Sequence, residues 1–72
     1  MQVTRFDDGG FVVHKIDQHG DNRVSAWFDA DGYPIDAERI IGSRTYYVSR
    51  TGPTWDRCRE VGRMFAKKIA SV

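Results

Sequence analysis

One thiol, two imidazoles and ten carboxylates are the side chains in this 72-residue sequence best equipped for catalysis or metal binding. Nucleophilic catalysis needs a thiol or hydroxyl next to a base. Cys58 sits mid-way along an apolar helical stripe. That setting buries a thiol, whereas a reactive thiolate needs an exposed electropositive site. Arg57 and Arg59 flank it in sequence but point to other faces of the helix. Ser25, Ser43 and Ser49 have no base at a telling spacing, although the parts of a triad need meet only in the fold.

The metal-ligating types are equally scattered. His14 falls in a strand pattern and His19 in a turn, and with Asp17 and Asp21 they make a loose polar cluster. Zinc sites take three or four ligands at recognisable spacing, which this cluster lacks. Asp29-Ala30-Asp31-Gly32, with Glu38 beyond it, imitates part of a calcium loop. Trp27 occupies the first ligand position, Pro34 falls inside the loop, and the flanks read as strands, so the segment reads as a turn. Asp7-Asp8-Gly9-Gly10 is a hairpin turn and opens no helix, so it is no phosphate-binding loop. These readings give a protein with no catalytic residue, no cofactor and no metal. A thin domain with no room for a deep pocket agrees with a protein that is not an enzyme.

The basic residues carry the stronger signal. Net charge is +1, yet the sign is unevenly placed. Residues 1–42 hold four basic residues (Arg5, Lys15, Arg23, Arg39) and eight acidic ones (Asp7, Asp8, Asp17, Asp21, Asp29, Asp31, Asp36, Glu38). Residues 43–72 hold seven basic residues (Arg44, Arg50, Arg57, Arg59, Arg63, Lys67, Lys68) against Asp56 and Glu60. The ordinary expectation is that the two halves attract one another in the folded chain. The functional reading is a contact surface, because a guanidinium makes bidentate bonds to phosphate or carboxylate. Arg44, Arg50, Arg57, Arg59, Arg63 and Lys67 are its candidates, with Trp27 and Tyr46 at its edge. Aromatic rings beside positive charge stack bases in single-strand binders, and Trp27, Tyr33, Tyr46 and Tyr47 are such rings. In a small domain at least half of these four are expected in the core.

The elements that position these groups follow from periodicity. Met1–Phe6 alternates, with Met1, Val3 and Arg5 on one face. Phe11–Ile16 is rich in strand formers, with Phe11 and Val13 on one face. Arg23–Asp29 alternates, Val24, Ala26 and Phe28 pointing one way. Ala30-Asp31-Gly32 is a hairpin turn. Tyr33–Ile41 fits two templates: Ile35, Ala37 and Arg39 alternate along an edge strand, while Ala37, Ile40 and Ile41 suit one helical turn. The flanking turns favour the strand, and Pro34 restricts it to an edge. Arg44–Ser49 is a strand by propensity.

From Pro53 the period changes to helical. Proline suits the first turn, and Thr51 or Gly52 can cap it. Trp55, Cys58, Val61, Gly62, Phe65, Ala66, Ile69 and Val72 fill one sector of about 140° on a helical wheel. Arg57, Arg59, Arg63, Lys67 and Lys68 share the other sector with Asp56 and Glu60. Asp56 near the start and the two lysines near the end suit the helix dipole. A glycine inside a helix costs about 1 kcal/mol against alanine. Gly62 therefore implies a close neighbour, an aromatic of the sheet such as Tyr47 or Trp27.

The expected architecture is a single α+β domain over residues 1–72. An antiparallel β-meander of four to five strands (about 1–50) is covered on one face by one C-terminal amphipathic helix (about 53–71). The plan recurs in single-strand nucleic-acid binders and in compact regulators made by phages and mobile elements, an analogy of plan that does not carry function. A lone cysteine fits a reducing, cytoplasmic setting. The sequence has no apolar run of membrane-spanning length. The functional expectation is a small protein that docks on a larger protein or complex as a regulator, inhibitor or adaptor. The alternative is a nucleic-acid-binding domain using the same basic face. A small-molecule substrate is not expected, and pairing of two copies through their opposite charges is a further reading.

Overall fold

A computed structural model describes residues 1–71, so Val72 of the helical wheel lies outside the described residues. Five strands, β1 (Gln2–Arg5), β2 (Phe11–His14), β3 (Asn22–Phe28), β4 (Pro34–Ile41) and β5 (Arg44–Tyr47), precede one helix, α1 (Pro53–Ala70). Every strand pairs antiparallel with the next, and the sheet order is the chain order. This is the α+β meander with a C-terminal helix that the alternating and helical periods imply.

Directly opposite residues in such a sheet share a face. Val3 lies opposite Val13, Phe11 opposite Phe28, and Val13, Ala26 and Ala37 form one row across β2, β3 and β4. These side chains meet Trp55, Cys58 and Val61 of α1 in one buried cluster. Phe11 and Phe28 stack with ring centroids 5.0 Å apart. Burying a side chain of this size contributes about 1.5–3 kcal/mol, so this layer carries the fold. β2 stops at His14 because Lys15 turns left-handed at φ 62°. Ile16 then folds into the core as its N–H donates to the Val24 carbonyl at 2.8 Å.

β4 is a strand, but it is interior, not an edge: β3 and β5 pair on its two sides. Pro34 is tolerated because it is the first residue of β4, where β5 does not reach; β5 pairs only from Glu38 onward. The register shifts at the same point, with Trp27 opposite Asp36 and Phe28 opposite Pro34. Ile35 is the extra residue of this bulge.

Gly52, not Thr51, caps α1, and no side chain caps it. The Asp56 N–H donates to the Gly52 carbonyl at 3.1 Å. Thr51 is engaged in the preceding turn, where its N–H donates to Ser49 Oγ at 3.3 Å. Thr54 is engaged with the sheet: Arg39 donates from Nη2 to Thr54 Oγ1 at 2.9 Å.

Gly62 does have a close neighbour, but neither Tyr47 nor Trp27. Its backbone faces the Gly32 carbonyl of the β3–β4 hairpin and the Phe28 ring. A Cβ at 62 would stand 2.6 Å from Phe28 Cδ1. Tyr47 and Trp27 cannot occupy this place because their side chains leave the sheet on the side away from the helix. The attraction expected between the two halves of the chain is not made by ion pairs. Among the described residues the only pair is Arg57–Glu60 within α1, at 3.5 Å, exposed and worth about 0.3 kcal/mol. No helix among the described residues is long and apolar enough to cross a membrane.

Candidate functional site

The approach of Gly32 to Gly62 lays the β3–β4 hairpin against α1 and forms a cleft beside the contact. Asp31, Gly32, Tyr33 and Pro34 line it from the hairpin, and Arg50, Trp55, Arg59 and Arg63 from the helix side. Its volume is about 600 Å³, larger than the thin fold promised. Three cations meet there for separate local reasons. Arg59 and Arg63 are four residues apart, so they stand one above the other on the helix. Arg50 comes from the loop before the helix, and its guanidinium carbon lies 5.0 Å from the Trp55 ring centroid. Stacking on an aromatic face fixes the plane of a guanidinium and leaves its edge donors free.

The hairpin wall is equally fixed. Asp29 Oδ1 accepts from the N–H groups of Asp31 (3.0 Å) and Tyr33 (2.9 Å), and Gly32 donates to the Asp29 carbonyl at 3.0 Å. The calcium-loop imitation is thus a turn whose first carboxylate is spent on its own backbone. Tyr33 projects from it 70% exposed. Among the described residues, no carboxylate oxygen lies within 4.0 Å of a side-chain nitrogen of Arg50, Arg59 or Arg63, although Asp31 lines the same cleft.

The eight residues singled out from sequence do not form one surface. Arg50, Arg59 and Arg63 share the cleft, and Lys67 continues their stripe one turn further on. Arg57 points elsewhere and pairs with Glu60. Arg44 sits at the β4–β5 turn opposite Ile41, and Tyr46 lies opposite Arg39, both on β5. Trp27 is on the other side of the sheet, opposite Val12 and Asp36. Tyr33, one of the four rings considered for stacking, joins the cleft, and so do Trp55 and Asp31, which the sequence did not mark for it. The Gly32–Tyr33 step after a turn and the lone helical glycine were the available signals.

None of Trp27, Tyr33, Tyr46 and Tyr47 is buried, against the expectation that half would be. The core takes its rings from Phe11, Phe28 and Trp55 instead. The helix covers one sheet face only, and Tyr47, opposite Glu38 on the uncovered face, is 94% exposed. That face is acidic where it is aromatic. A groove of about 670 Å³ beside Trp27 is lined by Phe6 and Ile35 and by four acidic residues, Asp8, Asp29, Asp36 and Glu38.

Two constellations with catalytic residue types also take shape. His14 Nδ1 lies 3.3 Å from Ser25 Oγ across β2 and β3, a pairing the spacing did not reveal. Ser25 is only 5% exposed, and among the described residues no carboxylate hydrogen-bonds to His14. The contact satisfies a buried hydroxyl. Cys58 is fully buried, and burial pushes its thiol above the ordinary range despite the opposing charges of Arg39 and Arg57. Both arrangements are what packing requires, and neither presents a nucleophile to solvent. No protein-family model matches the chain, and neither a curated protein nor a solved structure matches it.

Proposed function

We propose that this chain is a small non-enzymatic binding protein that docks on an acidic surface of a larger protein and modulates it. The observation that carries this reading is the convergence of Arg50, Arg59 and Arg63 on one cleft with no carboxylate of the described residues within ion-pair distance. Like charges at i and i+4 on a helix cost a few tenths of a kcal/mol, roughly, and among the described residues no ion pair within 4.0 Å offsets that here. A partner's carboxylates would. Guanidinium edges, that of Arg50 fixed by its stacking on Trp55, suit bidentate bonds to Asp and Glu side chains, and the exposed Tyr33 ring gives the contact an apolar anchor. Asp31 at the rim can accept an N–H from a peptide, a donor that a phosphodiester backbone lacks.

Nucleic acid is the second reading, favoured by an exposed tyrosine beside three arginines. Two observations weigh against it. Trp27 and Tyr47 lie across the sheet from the arginines, so they add no stacking platform to the cleft. The same face carries Asp36 and Glu38, which repel phosphate.

Electrophoretic mobility shift with single- and double-stranded probes at low salt separates the two readings. The docking reading expects no shift at micromolar protein. It also expects capture of a protein partner from nuclease-treated lysate that weakens when Arg59 and Arg63 are reversed to Glu. A salt-dependent shift lost in that same variant, with no protein captured, would favour nucleic acid.

A further inference from the structure

The cleft and the Trp27 groove have opposite sign, and consecutive residues of one hairpin separate them. Asp31 to Pro34 line the cleft, while Asp29, Ala30, Ile35 and Asp36 line the groove. Neither surface has an ion-pair partner among the described residues. Among the described residues, the arginines of the cleft meet no carboxylate, and the carboxylates of the groove meet no lysine, arginine or histidine, within 4.0 Å. The hydrogen bonds that the groove carboxylates accept come from backbone: Gly10 N–H to Asp8, Asp31 and Tyr33 N–H to Asp29, and Ala37 N–H to Asp36. Each leaves the second oxygen of its carboxylate for another donor. Around this hairpin the chain leaves Tyr33, Ile35 and Phe6 exposed, large side chains with apolar surface open to a partner.

We propose that this hairpin end is a self-association surface, on which a second copy of the chain places Arg59 and Arg63 in the Trp27 groove. The complementarity is on the molecule itself: the cations that fit the groove are those of the chain's own helix. Guanidinium groups pair with Asp36 and Glu38 and lie over the Trp27 ring, a combination of charge and cation–π contact. Both surfaces flank one hairpin, so a single two-fold axis beside it lets each copy give its arginines to the other. Such an interface is isologous and closes at two copies. Tyr33, Ile35 and Phe6 become its apolar centre. The dimer occupies the arginines assigned above to partner docking, so it holds the docking cleft in reserve at high protein concentration.

Sedimentation velocity on the purified chain tests this without any partner, so its failure is separate from failure of the docking reading. Three samples are compared: wild type, Asp36→Lys/Glu38→Lys, and Arg59→Glu/Arg63→Glu. The substituted positions are on the surface, and circular dichroism establishes that each variant folds. Wild type is expected to dimerise at about 0.1 mM in low salt and to dissociate near 1 M salt, where screening falls to about 3 Å. Each variant brings like charges together at both contacts and is expected to associate at least about tenfold more weakly. An equimolar mixture of the two variants restores opposite charges at both contacts and is expected to form a 1:1 dimer. A wild type that stays monomeric in low salt overturns the proposal. So do variants that associate as wild type does, a mixture that does not pair, or assemblies that grow beyond two copies.

Discussion

Gly32 and Gly62 meet backbone to backbone, the hairpin carbonyl of one lying against the helix at the other. This is the joint between the sheet and α1 at the end where the arginine cleft opens. It explains why a helix accepts glycine on its buried face, and it places Tyr33 across from Arg59 and Arg63. Alanine at 62 gains about 1 kcal/mol in helix propensity but forces its Cβ into the Gly32 carbonyl and the Phe28 ring. Overpacking of this kind costs about 1–3 kcal/mol. Gly62→Ala is therefore expected to destabilise the chain by about 1 kcal/mol, read as a lower urea midpoint at unchanged slope. A higher midpoint would contradict the close approach.

Lys15 holds a left-handed backbone at φ 62° immediately after β2. An L-residue with a Cβ pays about 1–2 kcal/mol there, and glycine avoids most of it. Lys15→Gly is expected to raise stability by up to about 1 kcal/mol, the balance being set by glycine's greater freedom when unfolded. Loss of stability in urea denaturation would mean that the Lys15 side chain, exposed in the fold, contributes more than its backbone costs.

Cys58 is buried under α1 with its thiol pushed upward by desolvation. A thiol whose folded pKa exceeds its unfolded value holds its proton more tightly when folded. The stability this gives is present below the unfolded pKa and is lost as pH rises through the folded pKa. Stability of wild type is thus expected to fall more steeply than that of Cys58→Ala once pH passes the ordinary thiol pKa. A disulfide reagent at neutral pH should label Cys58 only as fast as the chain opens. Immediate labelling of the folded protein would contradict its burial.

Arg50 over Trp55 is a surface stacking contact worth about 0.5–1 kcal/mol. Arg50→Ala should lower the urea midpoint by no more than that, yet reduce partner capture about as much as loss of Arg59. If stability falls and capture does not, Arg50 is a structural clamp on Trp55 and no part of the docking surface.

The layer that folds the chain was legible because it obeys local periods. Val24, Ala26 and Phe28 alternate without interruption, and Pro53 followed by Trp55, Cys58, Val61 and Phe65 marks a helix with one apolar side. Residues 33–41 were ambiguous because Ala37, Ile40 and Ile41 satisfy a helical turn as well as a strand. The interior position of β4 was hidden, since it depends on β5 stopping short of Pro34, a matter of register between strands. The arginines of the site were legible by type, and Arg59 with Arg63 by spacing. Their convergence with Arg50 and Tyr33 was not, because it rests on the Gly32–Gly62 approach, thirty residues apart in sequence. Trp27 shows the same limit: alternation gave its face relative to Phe28, but not the company of Asp36 and Glu38 there.

The docking account is tested most directly by quantitative capture from nuclease-treated lysate with wild type, Arg59→Glu/Arg63→Glu and Asp36→Lys/Glu38→Lys as baits. The account expects a protein that wild type retains, that the arginine reversal loses about tenfold or more, and that the sheet-face variant retains at least as well. Equal recovery of the same proteins by wild type and by Arg59→Glu/Arg63→Glu would contradict it.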